Sequence, residues 1–129
     1  MKKPNNIVRI PCSLQDSFFK YWFMFLEPLH KLTNKEIDVM ALFIKHRYIL
    51  SKDILSEEIL DKVTLGEEVK RKIREELEMN FSHFQVIMVN LRKKGAIKDG
   101  RINPKFIPNI IEDNNSFQLL LHFDFKDNV

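Results

Sequence analysis

Apolar residues recur at helical spacing through most of the chain and at strand spacing near its two ends. Ile37, Met40, Ala41 and Ile44 form one stripe, widened by Val39, Leu42 and Phe43, and this period predicts an amphipathic helix from Thr33 to about Arg47. Thr33-Asn34-Lys35-Glu36 has the form of a capping box, in which Thr33 caps the first turn and Glu36 reaches back, with Leu32 and Ile37 as the hydrophobic staple. Tyr48-Ile49-Leu50 reads as a short apolar link, Ser51 and Ser56 as caps, and Glu57–Val63 as a short helix. Glu67–Glu78 predicts another helix, with Val69, Ile73 and Leu77 inward and Lys70, Arg71, Lys72, Arg74, Glu75 and Glu76 outward, where Arg71 can pair with Glu75. Glu78-Met79-Asn80 is a turn. Asn80 or Ser82 caps the next helix, which runs to Lys94 with Phe84, Ile87, Met88 and Leu91 on its core face, and Gly95 ends it. Ala96-Ile97-Lys98 and Arg101-Ile102 flank Asp99-Gly100, a tight hairpin signal.

The ends differ. Ile7, Val8 and Ile10 predict a short strand over Asn6–Ile10, stopped by Pro11. Ser13 and Asp16 suit the start of a helix over Leu14–Glu27, which Pro28 closes. That helix is apolar on nearly all sides: Phe18, Phe19, Tyr21, Trp22, Phe23, Met24, Phe25 and Leu26. One stripe can face the core, and a second needs another cover, either a further layer of the domain or another subunit. Near the other end Phe117, Leu119, Leu121, Phe123 and Phe125 alternate with mostly polar residues, the pattern of a half-buried strand. Such a strand must pair with Asn6–Ile10 of its own chain or with an edge in a neighbour. The expected fold class is therefore mainly α with a small β component, in three parts: residues 1–32 (strand and aromatic helix), 33–108 (core) and 109–129 (strand arm).

Composition narrows the function. The 129 residues are 44% hydrophobic and 30% charged, enough for one domain with a packed core. The formal net charge of +3 is too small to imply nucleic acid by itself. One cysteine, Cys12, excludes an intrachain disulfide and a cysteine-based zinc site. Three glycines (Gly66, Gly95, Gly100) exclude a glycine-rich phosphate loop. No apolar run approaches the roughly 18 residues that span a bilayer, and Met1-Lys2-Lys3-Pro4 does not begin a signal peptide. Abundant Lys, Asn and Ile, with alanine only at Ala41 and Ala96, suggests an A/T-rich genome. The four histidines, His30, His46, His83 and His122, fall in different elements without a second ligand at metal spacing. No activating base stands near Cys12. We expect no enzyme, no catalytic residue, no metal and no cofactor.

Thr33–Pro108 resembles a winged-helix domain. The resemblance rests on Leu77-Glu78-Met79-Asn80, on Phe84, Ile87 and Leu91, and on Leu91-Arg92-Lys93-Lys94-Gly95-Ala96-Ile97, with Ala96–Ile102 as the wing and Asn103-Pro104 after it. Two departures are Glu78, where the family usually has glycine, and the long segment between the first helix of that domain and Glu67. The stretch from Ile73 to Pro108 also resembles small proteins of tailed phages of Bacteroidota, including crAss-like phages. The winged-helix resemblance implies a helix-turn-helix with a wing over Thr33–Pro108, to which the N-terminal aromatic helix and terminal strands read from the pattern are additions. The phage resemblance implies a structural role, in a virion or in the cytoplasm of a bacterial host.

Two functions follow as expectations. The first is a structural or adaptor protein that contacts proteins, either further copies of itself or other virion components. Phe18, Phe19, Trp22, Phe23, Val86, Val89, Phe117, Leu119, Leu121, Phe123 and Phe125 are its contact candidates. The second is a DNA-binding protein, a regulator or replication accessory. Gln85 and Asn90 could reach adenine and His83 a phosphate. From Arg92 to Lys105 six bases (Arg92, Lys93, Lys94, Lys98, Arg101, Lys105) face one acid, Asp99, a local net of +5 suited to duplex phosphates. No Arg or Lys precedes Arg92 on that helix, which makes it a poor reader of base edges.

Overall fold

A computed structural model describes residues 7–15, 17–111 and 116–126. In chain order the elements are α1 (Phe18–Phe25), α2 (Glu27–His30), α3 (Asn34–Leu50), α4 (Glu57–Thr64), α5 (Glu67–Glu76), α6 (Phe81–Lys93), β1 (Ile97–Lys98) and β2 (Arg101–Ile102), followed by a 3-10 turn at Pro104–Phe106. The described residues are thus mainly helical, with a small antiparallel sheet in which Ile97 faces Ile102 and Lys98 faces Arg101.

The hub is α3. Its capping box forms as expected: Glu36 N–H donates to Thr33 Oγ1 at 3.3 Å and Thr33 N–H donates to Glu36 Oε1 at 3.0 Å. Helices α1, α4, α5 and α6 all pack on it, so Ile37, Val39, Met40, Ala41, Phe43 and Ile44 are all buried. A helix surrounded on most sides cannot be a one-stripe amphipath. This is also why α3 continues through Tyr48-Ile49-Leu50, expected as a link: Tyr48 and Leu50 pack against the core, and no residue there breaks the helix.

Turn chemistry places the remaining helices. Ser56 Oγ accepts from Ile59 N–H at the start of α4, and Asn80 Oδ1 accepts from His83 N–H at 2.7 Å at the start of α6. Glu78 adopts φ 51° in the turn between α5 and α6, so α5 stops at Glu76 rather than Glu78. Gly95 (φ 80°) ends α6, while Asp99 (φ 56°) and Gly100 (φ 74°) make the primed turn that matches strand twist.

The first and last parts depart from the pattern. Helix α1 begins at Phe18, not Leu14, and Ser13 lies in the preceding turn; Asp16 is outside the described residues. Pro28 does not close a long helix. It sits in the first turn of α2, where its missing N–H costs nothing, and Leu26 bends the chain between the two helices. The expected terminal strands are corrected: residues 7–10 and 116–126 form no strand, and Asn6 lies outside the described residues. Alternation creates an apolar face but not the ladder partner a strand requires, and the described sheet consists of β1 and β2 alone.

Candidate functional site

Four of the proposed contact residues are core residues. Phe18, Phe19, Trp22 and Phe23 are buried against α3 and the segment after the hairpin, so they cannot dock a partner, and the inward stripe of α1 is covered within the chain. Trp22 Nε1 donates to Phe106 O at 2.8 Å. The His30 ring lies 5.8 Å from Phe23 and 5.9 Å from Phe106. Its Nδ1 accepts from Leu32 N–H at 2.9 Å and its Nε2 lies 2.6 Å from Phe23 O, an arrangement that the neutral Nε2–H tautomer satisfies. The outward stripe that the pattern left uncovered comprises Met24 and Phe25, continued by Leu29 on α2, and all three are exposed.

The C-terminal segment hangs from this aromatic cluster. Phe117 is half-buried, edge-on to Phe18 at 5.1 Å and to Trp22 at 5.5 Å. Beyond it the apolar residues at every second position are progressively more exposed: Leu119 is 40% exposed, Leu121 50%, Phe123 75% and Phe125 92%. A run of large apolar groups this open is unusual for a free surface. His122 and Asp124 are exposed, with Nδ1 and Oδ1 3.8 Å apart.

Helix α6 presents Val86 and Val89 to solvent, with His83 exposed and Gln85 and Asn90 half-buried beside them. Arg92, Lys93, Lys98, Arg101 and Lys105 are all exposed around the end of α6 and the hairpin, and none is in an ion pair among the described residues. Lys94 differs from its neighbours. Its Nζ lies 2.6 Å from Glu36 Oε1 and 3.4 Å from Lys31 O, so it is a tie between helices rather than a free phosphate contact. Burial works to raise the Glu36 pKa, but the Lys94 hydrogen bond and charge and the Thr33 hydrogen bonds outweigh it and hold the carboxyl below its ordinary value.

Sequence reasoning passed over one surface. Leu55, just before α4, and Ile59 and Val63 on it repeat at i, i+4 and i+8, and all are exposed. The spacing was visible, but it reads as an inward stripe until the fold shows Leu60 and Thr64 taking the buried side. A groove of about 570 Å³ also opens between α3, α4, β2 and the segment after it, lined by Arg47, Tyr48, Asp61, Arg101 and Ile107 among others. Arg47 Nε donates to Asp61 Oδ1 there at 3.2 Å, so that part of its charge is already balanced. Among the described residues no group of three or more His, Cys, Asp or Glu is placed to hold a metal, and no helix is long and apolar enough to cross a membrane. Cys12 is exposed. No protein-family model, curated protein or solved structure matches the chain.

Proposed function

We propose that this chain is a non-enzymatic winged-helix adaptor that works through protein–protein contacts, as a component of a phage particle. The observation that carries the reading is the C-terminal arm: five apolar residues at strand spacing, anchored at Phe117 and increasingly exposed to Phe125. A segment with apolar residues at strand spacing binds by adding a strand to another protein, main-chain bonds supplying affinity and the apolar side chains supplying fit. The valines on the outer face of α6 favour the same reading, because a dry apolar patch suits protein better than phosphate.

The winged-helix assignment is supported by the order α3, α5, α6 and hairpin, and by Glu78, which takes the left-handed backbone conformation that glycine supplies in that turn. Partners are other virion proteins or further copies of the chain, and the site of action is the virion or the host cytoplasm. The test is quantitative mass spectrometry of gradient-purified particles from cells supplying the wild-type chain and one lacking residues 119–129. The wild-type chain is expected in the particles and the truncated chain in the unassembled fraction. Equal incorporation of both sinks the arm as the contact, and absence of both sinks the virion role.

A second reading, DNA binding, is favoured by the five exposed cations around the hairpin. It predicts duplex affinity that falls with salt and is lowered uniformly by Arg101→Ala, whereas Gln85→Ala and Asn90→Ala relax sequence choice. Affinity unchanged in all three variants excludes it.

A further inference from the structure

We infer that the C-terminal arm pairs with the same arm of a second copy, antiparallel and centred on Leu121, so that the chain is a twofold dimer. This rests on the adaptor reading and names the partner of its arm. The apolar face is nearly palindromic. With Leu121 opposite the partner's Leu121, Leu119 meets the partner's Phe123 and Phe117 meets the partner's Phe125. All five apolar residues of one face then have apolar cross-strand neighbours. On the other face Gln118 meets the partner's Asp124, and Leu120 meets the partner's His122, without like charges opposed.

Other registers do worse. Centring on His122 sets two imidazoles against each other and leaves Phe117 without an apolar partner, and centring on Leu120 sets Phe125 opposite an asparagine. The Leu121 register also accounts for the exposure gradient. The most exposed ring, Phe125, reaches the partner's Phe117, the point where the arm is seated on Phe18 and Trp22. The free end of each arm thus comes to the anchored end of the other, which gives a two-stranded ribbon helical support at both ends. A ribbon without such support is marginal in water. A self-complementary patch that serves both subunits is what a twofold interface requires.

Light scattering across a concentration series, together with site-specific cross-linking, tests the inference. The wild-type chain should have the mass of a dimer. Leu121→Asp, which sets two carboxylates face to face at the centre, should raise the dimer dissociation constant at least tenfold while leaving the helical circular dichroism unchanged. In a Cys12→Ser background, Leu121→Cys should oxidise to a disulfide-linked dimer, and Phe125→Cys, whose opposite residue is Phe117, should not. A monomer at every concentration overturns the inference, as does a dimer indifferent to Leu121→Asp but broken by Leu29→Asp. The two proposals fail separately. A monomer whose arm deletion still blocks particle incorporation removes the self-pairing alone. A dimer that survives in solution while arm deletion leaves incorporation intact removes only the arm's role in the particle.

Discussion

The Lys94 ammonium lies 2.6 Å from the Glu36 carboxylate, joining the end of α6 to the start of α3 across 58 positions of sequence. Glu36 does two things at once: one oxygen closes the capping box with Thr33 and also accepts the lysine. Its side chain is 4% exposed, so removing the cation leaves a buried carboxylate without its charge partner. Lys94→Met is expected to destabilise the fold by about 1–3 kcal/mol, below the value for a fully buried pair because Lys94 itself is partly in solvent. Lys93→Met, one residue away and exposed, should be nearly neutral. Urea denaturation of both variants checks the contrast.

The same pair sets an acid limb of stability. The Glu36 pKa is lowered in the folded chain from its ordinary 4.5, so the unfolded state binds the proton more readily. Its contribution is fully present above 4.5 and is lost as pH falls through the folded value. Glu36→Gln should flatten the stability curve below 4.5 and leave its shape above that unchanged. Chemical denaturation midpoints measured between pH 3 and 6 decide the point.

His46 adds a second limb nearer neutrality. Burial lowers its pKa from 6.5, Lys72 and Lys45 push in the same direction, and Glu76 opposes them. Protonation therefore favours the unfolded chain. The contribution is present above 6.5 and is lost as pH falls through the folded value. Its size is modest, because the ring is only half-buried. His46→Gln should remove the slope just below 6.5, and NMR titration of the ring should show it charging later, on acidification, than a free histidine. A ring that charges at or above 6.5 contradicts the assignment.

Backbone conformation predicts opposite outcomes at two turns. Gly95 holds φ 80°, with open space where a Cβ would sit, so Gly95→Ala is destabilising through conformation rather than collision, by about 1–2 kcal/mol. Glu78 holds φ 51° with a side chain, and Glu78→Gly should stabilise by up to about 1 kcal/mol. Thermal unfolding of the two variants should move in opposite directions.

The only tryptophan reports on the arm. Phe117 touches Trp22 edge-on at 5.5 Å, and the indole N–H is held by Phe106 O. Phe117→Ala should shift Trp22 emission to longer wavelength, with a small loss of stability, whereas Phe125→Ala in the monomeric chain should leave the emission unchanged. An unmoved spectrum in Phe117→Ala would mean that the arm is not seated on α1.

The starts of α3, α4 and α6 and the stop of α6 could be read without the fold, because they depend on residues within one turn of each other. Thr33 with Glu36, Ser56, Asn80, Gly95 and Asp99-Gly100 each act locally, and each does what its chemistry dictates. The alternation of Phe117–Phe125 was equally legible, and with it the candidate arm. What the tertiary structure decided lies at long sequence separation. Whether Phe18, Phe19, Trp22 and Phe23 face a partner or the core depends on α3 and Phe106, and no local pattern states that. Pro28 permits either a helix end or a helix start, and the packing of His30 on Phe23 and Phe106 goes with the second. Lys94 belongs by composition to the basic cluster and in space to Glu36. The arm shows the same division: sequence determines that it has an apolar face, but a strand exists only when another chain segment supplies the hydrogen bonds along its edge.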